Sequence, residues 1–126
     1  VSNEATVKVK KKQPPPPPDE PEIGKVRVSK SKVTLRIWDY GKEDGDIITV
    51  IFNGKTLVSH LTITNAGWST TIELLPGKNW LQIIAENEGT EPPNTAAISI
   101  SDVVSGEKEL KYELNMNASG HVTIEF

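Results

Sequence analysis

Residues 37–55 read IWDYGKEDGDIITVIFNGK, and this stretch decides the fold. Its second half carries Ile47, Ile48, Thr49, Val50, Ile51 and Phe52, all strand formers, and ends on Asn53-Gly54. Asn-Gly between two β-prone runs favours a type I′ turn, whose twist matches that of paired antiparallel strands. A hairpin is therefore predicted here, with the second arm continuing through Leu57, Val58, Leu61 and Ile63. The first half is an acidic corner in which Asp39, Asp44 and Asp46 are spaced by Gly41 and Gly45. Asp side chains accept hydrogen bonds from backbone N–H groups two residues on, and glycine supplies positive φ, so the corner is explained as a ligand-free tight loop. Closely spaced carboxylates also suit calcium, which takes about six to eight oxygen ligands. The spacing is not that of the helix–loop–helix calcium site, and the terminal bidentate Glu is missing.

Working outward, period-2 alternation recurs on both sides. From Val26 to Asp39, Val26 and Val28 and then Val33, Leu35 and Ile37 alternate with Thr34, Arg36 and Trp38, which predicts an inward apolar face for Val33, Leu35 and Ile37 and an outward Trp38 beside Arg36. Trp68, Thr70, Ile72 and Leu74 share one face of the next strand. After the Pro76-Gly77 turn, Leu81, Ile83 and Ala85 alternate with Trp80, Gln82 and Ile84. Short strands are also expected over 96–101, 109–116 and 121–126, the last two joined by a turn over 117–120. A polar Glu88–Thr95 loop, whose prolines disfavour central pairing, precedes them. No segment shows a sustained 3.6-residue period with caps. The expected fold is an all-β, antiparallel, immunoglobulin-like β-sandwich of seven to nine strands.

Upstream, residues 14–18 are five consecutive prolines within QPPPPPDEPE. Such a run prefers a semi-rigid polyproline II helix and reads as a spacer, although these tracts also dock on aromatic grooves. Residues 1–24 are thus assigned to a tail and spacer and residues 25–126 to the sandwich. Within the tail, alternation at Ala5, Val7 and Val9 suggests one strand, and Lys8 and Lys10–Lys12 a solvated basic flank.

The 126-residue chain is long enough for one core, has no cysteine, and carries a formal net charge of −3 with the two signs intermixed. These features exclude disulfide and thiolate chemistry and argue against a nucleic-acid groove. No apolar run approaches the roughly 20 residues of a membrane-spanning helix. The first residue is Val, as expected of a processed or trimmed piece.

Two motifs, D-x-G-x-x-D-G-D-x-I over Asp39–Ile48 and A-x-N-x-G-x-x-P-P-N-T-A over Ala85–Ala96, resemble a module that recurs in secreted and cell-surface proteins of Bacteroidota-type bacteria. The similarity covers roughly residues 33–126 and implies a periplasmic, cell-surface or secreted location, without implying an activity. It also suggests that the two loops meet. Asp39, Asp44, Asp46, Asn87 and Asn94 would then either surround one calcium ion or lock the loops to each other through backbone N–H groups.

Catalytic signatures are sparse. The two histidines, His60 and His121, have no metal-binding spacing and are expected at the surface. No phosphate-binding glycine loop is present. Glu73, Glu86 and Glu88 are carboxylates that a glycoside-cleaving pair would have to use. For sugar recognition, the candidate stacking residues are Trp38, Tyr40 and Trp80. The expected role is a non-enzymatic accessory module of an envelope or surface protein, serving spacing, adhesion or contact with another protein. Calcium-dependent binding of a surface glycan is the alternative, and a hydrolytic domain the third.

Overall fold

The computed structural model describes residues 15–43, 45–87, 94–114 and 119–126, with no account of the side chains of Asn94 and residues 112–114. The tail strand expected around Ala5–Val9 and the turn at 117–118 lie outside this range. Ten strands follow in order: β1 Glu22–Val28, β2 Lys32–Trp38, β3 Ile47–Phe52, β4 Lys55–Thr62, β5 Trp68–Glu73, β6 Lys78–Ala85, β7 Asn94–Ile100, β8 Val103–Ser105, β9 Glu109–Leu114 and β10 Ser119–Glu125. There is no helix among the described residues. They form a six-stranded sheet, β4-β3-β6-β10-β1-β8, and a four-stranded sheet, β5-β2-β7-β9.

The hairpin forms as its turn chemistry requires. Asn53 and Gly54 both have positive φ, 49° and 82°, the type I′ signature, and β3 pairs with β4 across them. The alternation of β2 puts Val33, Leu35 and Ile37 in the interior at 1 %, 0 % and 0 % exposure. Leu81, Ile83 and Ala85 of β6 do the same from the other sheet. With Ile48, Val50, Ile98, Val122 and Ile124 they make one continuous core between the two layers.

The described residues form ten strands, against the seven to nine expected from spacing. The run from Val26 to Asp39 divides into β1, which already starts at Glu22 within the stretch assigned to the spacer, and β2, and the three-residue β8 is added. β1 adds to β10 in parallel, in a register running from Glu22↔His121 to Arg27↔Glu125. All other strand pairs are antiparallel. Parallel pairing of residues about a hundred positions apart leaves no local trace in sequence, which is why the spacer seemed to run on to residue 24.

One expectation is overturned. His121 was placed at the surface because it follows a turn, yet it is 7 % exposed. Its side chain points away from the core but lies beneath the incoming chain: His121 N–H donates to Pro21 O at 2.9 Å, and Nδ1 meets Glu20 O at 2.9 Å. His60, by contrast, is exposed on β4 with φ 52°.

Candidate functional site

Polar side chains gather at several places, two of which hold residues singled out in the sequence. The first is the rim where the acidic corner meets the chain leaving β6. Asp39 directly follows β2, and Asp46 directly precedes β3, so both are anchored by the ends of core strands. Their exposures are 1 % and 0 %. Asp39 Oδ1 accepts the Gly41 N–H at 2.9 Å, the local Asx bond that its sequence suggests, and also the Thr95 hydroxyl at 3.0 Å. Asp46 Oδ2 accepts the Thr95 N–H at 3.0 Å. One threonine at the start of β7 therefore bridges both buried carboxylates.

Asn87 closes the corner from the end of β6. Its Oδ1 accepts the Ile47 N–H at 2.8 Å, and its Nδ2 donates to Gly45 O at 3.1 Å. A third corner, after β4, joins them. Asn65 Nδ2 donates to Asp39 O and Gly41 O at 2.7 and 3.1 Å, and its backbone N–H donates to Glu43 Oε2 at 2.5 Å. Three loops distant in sequence are thus tied by amide and carboxylate groups acting on backbone. Sequence reasoning missed Thr95 and Asn65. Thr95 lies within the second motif but carries no charge to mark it, and Asn65, in an Asn65-Ala66-Gly67 stretch, reads in sequence as an ordinary turn residue.

The proposed cation ligands divide accordingly. Asp39 and Asp46 come together at Thr95, while Asn87 turns to the backbone of residues 45–47. Asp44 lies outside the described residues, as does the side chain of Asn94, whose backbone opens β7. Among the described residues no group of three or more His, Asp or Glu side chains is placed to hold a metal ion. Asp39 Oδ2, also buried, accepts no hydrogen bond among them.

The candidate aromatic residues do not form one platform. Trp38 stands on the outer face of the four-stranded sheet and Trp80 on that of the six-stranded sheet. Trp38 is half-buried beneath Arg36, whose guanidinium carbon sits 4.4 Å from the ring centroid. Arg36 is held there by a 2.8 Å bond from Nη2 to Ala66 O, and Gly67 fits closely against both side chains. Tyr40 has Lys111 Nζ 5.5 Å from its ring centroid.

Trp80 belongs to the second polar concentration, on the outer face of β6 and β10. Its Nε1–H donates to Pro15 O at 2.5 Å, and its ring meets His121 edge-on at 5.9 Å. Gln82 Nε2 donates to Glu20 Oε1 at 2.8 Å, and the Ser119 hydroxyl to Glu20 Oε2 at 3.1 Å. The proline-rich segment read as a free spacer lies along this strip from Pro15 to Pro21.

No protein-family model matches the chain, and no curated protein or solved structure matches it. No helix among the described residues is long and apolar enough to cross a membrane.

Proposed function

We propose that this chain is a non-enzymatic accessory module of a bacterial envelope or surface protein, serving spacing, adhesion or contact with another protein. One observation carries the reading: the polar side chains gathered at the rim, together with Asn79 and His121, are engaged in holding backbone. Asp39, Asp46, Asn87 and Asn65 bind loop amides and carbonyls. Asn79 binds the β5–β6 turn, and His121 binds the incoming chain. The resemblance of the two motifs to surface modules supports the location.

The finer architecture is immunoglobulin-like. The β3-β6-β10 order opposite β5-β2, with β1 parallel at the flank of β10, supports it. The departure is the β7–β9 segment inserted between β6 and β10, which places β7 beside β2.

The test is turnover. The full chain is incubated with chromogenic glycosides, esters and peptides, and no hydrolysis is expected. Hydrolysis that disappears in Glu86→Gln or His121→Gln would replace this reading with an enzymatic one.

Calcium-dependent glycan binding is the second reading, and the buried Asp39 Oδ2 without a hydrogen-bond donor among the described residues favours it. A bound ion stabilises the folded state by about 2.7 kcal/mol at a hundredfold excess over its dissociation constant. Melting in calcium and in chelator therefore decides it, with coincident curves removing the ion.

A further inference from the structure

We infer that the outer strip of β6 and β10 is a recognition site for proline-rich, acid-ended extended peptides, filled in cis by residues 15–21. This narrows the interaction reading above to one class of partner. Its failure would leave the accessory role standing, because turnover tests that role separately.

The strip is built like a receptor for such a ligand. Proline lacks an N–H, so a proline-rich segment offers only carbonyls along its backbone. Trp80 supplies an aromatic wall and an indole donor to Pro15 O. This combination recurs where aromatic grooves read polyproline II segments. At the other end the ligand becomes acidic, and the strip answers with donors. Gln82 and Ser119 take one oxygen each of the Glu20 carboxylate. His121 Nδ1 faces the Glu20 carbonyl, which can only accept, so Nδ1 carries the proton and the ring orientation is set by the peptide. The His121 backbone N–H binds Pro21 O.

In the β6–β10 register Trp80 lies opposite Thr123 and Gln82 opposite His121, two residues or about 7 Å of strand apart. The Glu20 carboxylate reaches beyond that level to Ser119, which lies opposite Ile84. The segment also runs opposite to β1: it passes from the level of Thr123 to that of His121, turns at Pro21, and returns as β1.

Because the ligand is tethered, it competes at an effective concentration of about millimolar or above. Wild-type chain should therefore ignore free peptide below that range. The test loosens the tether in the full chain with Pro15→Ser, Pro16→Ser, Pro18→Ser and Glu20→Ala, and follows the Trp indole N–H signals by NMR. A synthetic peptide of residues 13–22 should shift the Trp80 signal saturably, and at least threefold more tightly than the same peptide with alanine for proline. Adding Gln82→Ala should weaken it further. A folded loosened chain that shows no shift, or that binds the alanine peptide equally, overturns the proposal. If the loosened chain does not fold, wild type still decides. The Trp80 indole should exchange with solvent deuterium more slowly than that of Trp38, and equal rates overturn the proposal.

Discussion

Thr95 and Asp39 stand 56 positions apart in the chain, yet the threonine hydroxyl donates to Asp39 Oδ1 at 3.0 Å. The same residue gives its backbone N–H to Asp46. This single side chain therefore couples the loop after β2 to the strand that follows the β6 exit. Thr95→Val keeps the shape and the backbone bond but deletes the hydroxyl. It is expected to cost about 2 kcal/mol, since a buried carboxylate loses one of its donors. Urea denaturation should show a lower midpoint with an unchanged slope.

Asp39→Asn separates the two readings of the corner. Without an ion, removing a buried negative charge while keeping the Gly41 bond should leave stability unchanged or raise it. With an ion, the same change removes a ligand, and both the calcium response and the melting temperature should fall together. The comparison is one melting series of wild type and variant, each in calcium and in chelator.

Asn79 is fully buried, and its amide is used from both sides. Oδ1 accepts the Leu75 N–H and Asn53 Nδ2–H, while Nδ2 serves the carbonyls of Leu75, Gly77 and Ile124. Two N–H groups shared among three carbonyls mean that one bond is bifurcated. Asn79→Ala strands several of these groups in the interior and should cost about 3 kcal/mol. Asn79→Asp has an acceptor where Nδ2 donates and should destabilise as much, which chemical denaturation of both variants would check.

Two glycines with positive φ should respond differently to alanine. At Gly54 nothing lies within 4 Å of a built Cβ, so only backbone strain remains, about 1 kcal/mol. At Gly106 the Cβ would fall 2.5 Å from Lys25 O, which belongs to the neighbouring strand. Gly106→Ala should therefore cost about 2 kcal/mol or more and detach β8. Hydrogen exchange at Arg27 and Val28, which face β8, reports that loss.

Arg36→Ala should uncover Trp38. Loss of the cation–π contact is expected to cost about 0.5–1 kcal/mol. Trp38 emission should move to the red, and an unmoved spectrum would mean that the ring is shielded by something other than Arg36.

The features legible in sequence were those set by neighbours. Alternation placed Leu35, Ile37, Leu81 and Ile83 in the core, and Asn53-Gly54 fixed a hairpin, because side-chain period and turn chemistry act within a few residues. What stayed hidden depends on contacts far along the chain. His121 looked exposed because its cover, residues 15–21, lies a hundred positions upstream. Thr95 looked ordinary because its value is the meeting of two aspartates from elsewhere. The proline tract read as free for the same reason: its affinity for Trp80 resides in the sheet, not in the tract.

The parallel alignment of β1 with β10 has a mechanical consequence. Tension between the two ends of the folded part pulls these neighbours in opposite directions along a common axis. All five paired positions, from Glu22↔His121 to Arg27↔Glu125, then bear the load in shear, whereas an antiparallel pair would unzip one rung at a time. Rupture under load is governed by the unfolding rate, and shear keeps that rate low. The proline segment would peel from Trp80 first, yielding about 20 Å of slack. A stretching trace should accordingly show a short, soft step before one abrupt break, the behaviour of a tether with a built-in shock absorber.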